Sequence, residues 1–345
     1  MISPPASQGA AASMLLLASN ENPLGMPESA RRAVAACLGD AGCYPDANGT
    51  ALKQALAERL GLGADWLTLG SGSSEILELA AQVCVEPGQK IVYSEYGFIV
   101  YGQAAAHARA QAVVVPARDF GHDLGAMRAA IDGATRLVFI ANPNNPTGTL
   151  LAPADLLAFI EAVPAGVAVL LDEAYTEYLA PAQRYDSMAW VRRFPHLIVA
   201  RTFSKAYGLA GLRIGYGAAQ PALTARLNAR RPRFNVSTPA QAAARAALAD
   251  ADWLARSYDV NTAGRSQLEA GFRSLGLHCV PSHGNFVLVR VGDAPAVHAA
   301  LLARGIEVSR VDPYGLPQWL RVSVGLPEHN SQLLDALGQA LAAAG

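Results

Sequence analysis

The chemistry-bearing residues of this chain stand at the ends of apolar runs. Leu197-Ile198-Val199-Ala200 reads as a buried strand and breaks into Arg201-Thr202-Phe203-Ser204-Lys205, with Arg213 following a short stretch of small residues. An ammonium straight after a core strand is costly to desolvate. Desolvation also lowers its pKa, and the neutral amine can then attack a carbonyl to form a Schiff base. A plain surface lysine at a strand end is the alternative reading of Lys205 taken alone. Leu171 leads into Asp172-Glu173-Ala174-Tyr175, with no basic residue nearby in sequence. A carboxylate there needs a positive partner, either a distant arginine or a protonated ring nitrogen. Ala141 leads into Asn142-Pro143-Asn144-Asn145-Pro146-Thr147-Gly148, a rigid loop that would hold an amide in a fixed direction. Leu69 leads into Gly70-Ser71-Gly72-Ser73-Ser74-Glu75, which serves equally as a helix N-cap or as a phosphate cradle of free N–H groups. Tyr93 leads into Ser94-Glu95-Tyr96-Gly97-Phe98-Ile99-Val100-Tyr101, where an aromatic would stack on a flat heterocycle or fill the core.

Together these parts suit pyridoxal 5'-phosphate. That cofactor needs a lysine for its aldehyde, a carboxylate opposite its pyridinium nitrogen and a donor to its phenolic oxygen. It also needs a ring to stack on and an anion cradle, in which a bidentate arginine such as Arg213 matches a phosphate dianion. Lys205, once free, would serve as the base for the substrate's Cα proton.

The elements that must position these residues follow a regular pattern. Apolar runs at Leu67–Leu69, Lys90–Tyr93, Ala112–Val115, Arg136–Ala141, Val167–Leu171 and Leu197–Ala200 are separated by intervals long enough for a helix, as at Ser74–Val85 and Pro153–Ala162. Continuous rather than alternating apolar character predicts a mostly parallel sheet with helices on both faces. Ligands of such α/β sheets bind beyond the carboxyl ends of the strands. After a long helical stretch ending near Ala270, shorter strand and helix signals from Asn285 to Ala344 predict a small α+β domain. We expect a large cofactor-binding domain over 41–255, a discontinuous small domain from 14–40 and 256–345, and a loose or disordered arm over 1–13.

The charge balance, 27 basic against 28 acidic residues, offers no basic surface for nucleic acid or an anionic membrane. The N-terminal stretch has no basic region before its short apolar run, which argues against a signal peptide or a spanning helix. Cys37, Cys43, Cys84 and Cys279 form no CxxC pair and have no histidine at ligand spacing, so a reduced, metal-free, cytoplasmic protein is the simplest expectation. The Gly70–Gly72 loop lacks the spacing of a dinucleotide or P-loop fingerprint.

Asn-Pro-Asn-Asn-Pro-Thr-Gly, Asp-Glu-Ala-Tyr and Ser-Lys-Ala-Tyr-Gly-Leu-Ala-Gly-Leu-Arg, in this order, resemble the fold-type I aminotransferases. Ala18-Ser19-Asn20-Glu21-Asn22-Pro23 and Leu320-Arg321-Val322-Ser323-Val324-Gly325 narrow the resemblance to the histidinol-phosphate aminotransferase family. It implies Lys205 as the Schiff-base lysine, Asp172 as the pyridinium partner, Asn145 and Tyr175 at the phenolic oxygen, and Phe98 on the ring. Gly72, Ser73, Thr202, Ser204 and Arg213 would cradle the phosphate. Tyr44 would reach the phosphate of a neighbouring subunit, which implies a homodimer with shared sites. Arg321 would clamp glutamate's carboxylate and the second substrate's phosphate, while Asn22 and Asn285 would line the substrate side. The implied reaction is transamination of histidinol phosphate with 2-oxoglutarate. An aromatic amino-acid aminotransferase or a phospho-amino-acid decarboxylase on the same scaffold are alternatives. Leu24 stands where many members have tyrosine. Ser309 stands where many have arginine, with Arg310 beside it.

Overall fold

The structure is a computed structural model and describes residues 14–344. The arm expected over 1–13 lies outside the described residues. Strands are β1 (Leu15–Leu17), β2 (Leu67–Gly70), β3 (Lys90–Ser94), β4 (Gln111–Val115), β5 (Thr135–Ala141), β6 (Ala168–Asp172), β7 (Leu197–Thr202), β8 (Gly215–Ala218), β9 (Cys279–Val280), β10 (Phe286–Arg290), β11 (Ile306–Arg310) and β12 (Trp319–Ser323).

A seven-stranded sheet runs in the order β2-β8-β7-β6-β5-β3-β4, with parallel pairing except on both sides of β8. Each of its central strands carries a continuous apolar run because both faces are covered. Val138, Ile140, Val169, Leu171 and Val199 join one core, and Leu137, Phe139, Leu170, Ile198 and Ala200 join the other. Helices Thr50–Leu60, Pro153–Ala162 and Thr238–Leu248 cover the first face; Ser73–Cys84 and Val100–His107 cover the second. Burying each such leucine or isoleucine stabilises the fold by roughly 1.5–3 kcal/mol. Edge strand β4 departs from the sequence expectation, since Val114 stays 50% exposed.

A five-stranded sheet, β1-β11-β12-β10-β9, forms the smaller unit and packs against the helices Ala294–Leu302 and Pro327–Ala344. The cores do not divide at residue 40. Ala30, on the helix Glu28–Cys37, is fully buried in the core of the large sheet, while β1 pairs with β11 in the small one. Two residue stretches separated by one short loop therefore serve different cores. The 24-residue helix Ala251–Ser274 joins the two units: Trp253 donates its indole N–H to the Ala206 carbonyl, and Leu268 and Phe272 lie in the small core. The carboxyl ends of β5, β6 and β7 meet the Ser19–Glu21 segment and β12 across one cleft.

Candidate active site

The cleft holds a cavity of about 450 Å³ lined by strand ends of the large sheet, the Ser19–Glu21 segment and Arg321 of β12. Lys205 enters from the loop after β7 and donates from Nζ to the Ser19 carbonyl at 2.9 Å. Burial pushes its pKa down to about 8, with Arg321 adding repulsion and Glu21 opposing the shift. The ammonium also lies 5.9 Å from the centre of the Tyr175 ring. Asp172 ends β6 and is 5% exposed. Burial raises its pKa to about 6, although the Tyr101 hydroxyl donates to Oδ2 at 3.1 Å and the Ala174 N–H donates to Oδ1 at 3.2 Å. A buried carboxylate with two neutral donors and no cation in contact favours a positive group beside it.

Tyr101 closes the run after Tyr93, where the sequence offers an aromatic for stacking or for the core and gives no sign of a bond to Asp172. It sits on the helix Val100–His107, is fully buried, and stacks on Phe139 at 4.6 Å. We expect Tyr101→Phe to raise the Asp172 pKa further, because a hydrogen bond to the ionised form is lost. A pH titration of the unloaded protein's stability, compared with wild type, reads that shift directly. An unchanged titration would remove Tyr101 from this role.

The anion cup has a backbone reason for its glycines. Gly72 caps the helix Ser73–Cys84 at φ +81°, with no side chain occupying the free N–H groups of the first turn. A Cβ at Gly72 would collide with the guanidinium of Arg213, and one at Gly215 would come within 2.5 Å of the Ser73 nitrogen. Arg213 donates to the Ser204 hydroxyl at 3.3 Å and the Ala210 carbonyl at 2.9 Å. The Thr202 hydroxyl accepts from the Ser204 N–H at 3.1 Å. An arginine, two hydroxyls and a helix N-terminus converge there, which suits a phosphate dianion.

On the opposite wall, Arg321 donates to Asn145 Oδ1 and, at 2.7 Å, to the Ala18 carbonyl; its Nε is buried without a partner. The Tyr175 hydroxyl accepts from Asn20 Nδ2 at 3.0 Å, and burial raises its pKa to about 12, so it keeps its proton. Ser309 is the register partner of Arg321, whereas Arg310 pairs with Leu320 and donates to Asp312 at 2.8 Å in solvent. Arg310 therefore does not replace an arginine at the Ser309 position.

Behind the site, strand alternation sends Glu173 and Arg201 the other way. They pair at 2.8 Å, with the glutamate side chain fully buried, and the Ser187 hydroxyl donates to the same carboxylate.

Ser73, Phe98, Asn145, Asp172, Tyr175, Thr202, Ser204, Lys205, Arg213 and Arg321 all line the cavity. Gly72 lies directly behind Arg213. Asn22 and Asn285 do not line it. Asn22 donates to Ala206 and Ser257, and Asn285 to the Asn20 and Glu21 carbonyls, so both hold the Ser19–Glu21 wall from behind. Asn20, two residues before Asn22, takes the lining position instead; its φ of +54° turns the chain there. Tyr44 is 82% exposed and absent from its own chain's cavity lining. Among the described residues, no cluster of three His, Cys, Asp or Glu side chains could hold a metal, and no helix is long and apolar enough to cross a membrane.

The fold is that of one enzyme class, and a family model described as aminotransferase class I and II matches residues 12–339. Histidinol-phosphate aminotransferase 1 of Cupriavidus pinatubonensis is 59% identical, covering 96% of this chain and 89% of that relative. Histidinol-phosphate aminotransferase 2 of Ralstonia nicotianae is 58% identical, covering 97% and 90%. The crystal structure of histidinol-phosphate aminotransferase from Sinorhizobium meliloti in complex with pyridoxal-5'-phosphate superposes with a TM-score of 0.90 at 32% identity, covering 96% of this chain and 92% of the other. The chain belongs to the class I and II aminotransferases and, within them, to the histidinol-phosphate aminotransferase family.

Proposed function

We propose that this chain transfers the amino group of histidinol phosphate to 2-oxoglutarate in histidine biosynthesis, giving imidazole-acetol phosphate and glutamate, with pyridoxal 5'-phosphate as cofactor. The observation that carries this reading is the meeting in one cavity of a lysine with a depressed pKa, a buried carboxylate with no cation in contact, and an anion cup. When bound, the cofactor supplies an aldehyde that accepts amino groups and a protonated ring that withdraws electrons from the substrate carbon.

The chain's own residues do the rest. Asp172 keeps the ring nitrogen protonated. Gly72, Ser73, Thr202, Ser204 and Arg213 hold the phosphate, and Phe98 covers the ring. Asn145 and Tyr175 donate to the phenolic oxygen, with Asn20 orienting Tyr175. Lys205 Nζ, which donates to the Ser19 carbonyl, would take the proton from the substrate Cα and deliver it to the carbon of the former aldehyde group. Arg321 exchanges its Asn145 contact for an anionic substrate group, a carboxylate of glutamate or the phosphate of histidinol phosphate. Asn22 and Asn285 act on substrate through the wall that they brace.

We further propose a cytoplasmic homodimer, in which exposed Tyr44 completes the partner's anion cup, and a division into a large unit and a discontinuous small unit. In that division the helix Glu28–Cys37 goes with the large unit.

A half-reaction titration tests the substrate. Loaded protein mixed with histidinol phosphate or glutamate should convert rapidly to the amino form of the cofactor, and phenylalanine should do so far more slowly. Faster conversion by phenylalanine would move the chain to the aromatic aminotransferases. Arg321→Leu should raise KM for glutamate by about 100-fold, the loss of a bidentate charged contact, with a smaller change in kcat. Steady-state kinetics with glutamate varied at saturating imidazole-acetol phosphate separates the two parameters.

A further inference from the structure

One run of hydrogen bonds leaves the anion cup and ends at the loop that carries Tyr44. Glu75 Oε2 accepts from the Ser71 N–H at 2.6 Å, between the two glycines of the cup. The same oxygen accepts from Asn235 Nδ2 at 2.6 Å. Asn235 Oδ1 accepts from Arg231 Nη1, and Arg231 Nη2 donates to the Ala47 carbonyl at 2.6 Å. Ala47 lies in the turn that Asp46 closes by accepting from the N–H groups of Asn48 and Thr50. Gln241 adds a second tie, donating to the Asp46 carbonyl at 2.9 Å.

The far end of this run is an aromatic pair, exposed Tyr44 and half-buried Phe234. Tyr44 stacks on Phe234 with ring centres 4.6 Å apart and planes 16° from parallel. Phe234 adopts φ +64°, a conformation a bulky residue takes only when its surroundings enforce it. Asn235, the next residue, is held on both sides by Glu75 and Arg231. A carboxylate at one end and a guanidinium at the other make each bond charge-assisted, with the amide of Asn235 as a neutral coupler. Glu75, Asn235 and Arg231 do not line their own chain's cavity; Asn235 also donates to the Leu69 carbonyl at 3.2 Å.

We propose that Glu75, Asn235 and Arg231 are positioning residues that tie one chain's anion cup to the Tyr44 it presents to a second copy. A cut in the relay of one chain then weakens phosphate binding in the site of the other. This rests on the homodimer proposed above.

Mixed dimers separate the two ideas. One chain is wild type and the other carries Lys205→Ala, so only one site can bond the cofactor, and that site receives Tyr44 from the Lys205→Ala chain. Absorbance of the lysine-bound cofactor then titrates that site alone, without turnover. Adding Tyr44→Phe to the Lys205→Ala chain should weaken cofactor binding in the reporting site. Adding Arg231→Lys or Glu75→Gln to that same chain should weaken it by about five- to tenfold, the size of an ordinary hydrogen bond's net contribution. The reporting site's own relay is intact throughout, so a merely local structural role would leave its affinity unchanged. Weakening by Tyr44→Phe with no effect of the two relay variants, or an effect of only one, overturns the relay and leaves the dimer. No effect of Tyr44→Phe overturns the shared site and the relay with it.

Discussion

Lys205→Ala is expected to lower kcat/KM by at least about 10⁴-fold, since general base catalysis at the substrate carbon and capture of the cofactor aldehyde both reside on one nitrogen. Single-turnover conversion with glutamate measures it. Lys205→Arg should be nearly as inactive despite keeping the charge, because guanidinium does not deprotonate in a protein. A small amine added to the Lys205→Ala protein should recover part of the rate by standing in as the proton carrier; an unaltered rate would place the lost function elsewhere. The sign with pH follows from the amine. In unloaded wild-type protein, aldehyde capture needs neutral Nζ, so its rate should climb as pH rises through about 8 and level off above it. Removing the neighbouring positive charge in Arg321→Leu should move that rise to higher pH, since Arg321 is among the groups that lower the lysine pKa.

Asp172→Asn should separate stability from activity. In the unloaded protein, the folded state holds the Asp172 proton up to about pH 6, whereas the unfolded chain releases it near the ordinary value of 3.8. The folded state thus binds more protons between these values, and stability falls as pH rises through that window. Above it the ionised buried carboxylate costs about 3 kcal/mol, at 1.36 kcal/mol per pKa unit. The neutral amide of the variant would remove that cost, so the unloaded variant should unfold at higher denaturant concentration than wild type at about pH 7.5 and match it near pH 3. Its cofactor binding should weaken, and kcat should fall by about 10³-fold, because the ring nitrogen loses the anion that keeps it protonated. Paired denaturation curves with and without cofactor test both halves. An unloaded variant less stable than wild type at the higher pH would contradict the assignment of burial as the dominant cause of the raised pKa.

Much of the site is legible in the sequence because its residues stand where buried strands end. Lys205, Asp172, Asn145 and Tyr175 each follow an apolar run, and parallel strands bring such ends to one edge whatever the sequence distance. What the sequence hides depends on contacts that only packing creates. Tyr101 looks like a helix residue filling the core, and its hydroxyl reaches Asp172 only because Phe139 fixes its ring. Asn20 and Asn22 share a residue type and a loop; a single positive φ decides which one faces the cavity. Strand β8, Gly215-Tyr216-Gly217-Ala218, carries weak strand propensity. It exists because its glycines admit Ile76 and the Ser73 backbone at close range. The helix Glu28–Cys37 departs from the expected division because its neighbours in sequence belong to the small sheet, while Ala30 packs with the large one.

The Glu173–Arg201 pair behind β6 and β7 has a consequence for what the cavity selects. Asp172 ends β6 and Glu173 follows it, and the guanidinium that pairs with Glu173 lies on the far side of the sheet. Had Arg201 been one position earlier or later in β7, strand alternation would have aimed it at the face of Asp172, and the cavity would have been internally neutralised. The sheet instead acts as a partition: it insulates one acid from the countercharge that satisfies the other. Asp172 is left as a standing demand for a cationic occupant, built into strand parity before any ligand arrives. An arginine moved to the other face of β7 would therefore satisfy Asp172 and leave buried Glu173 without its partner.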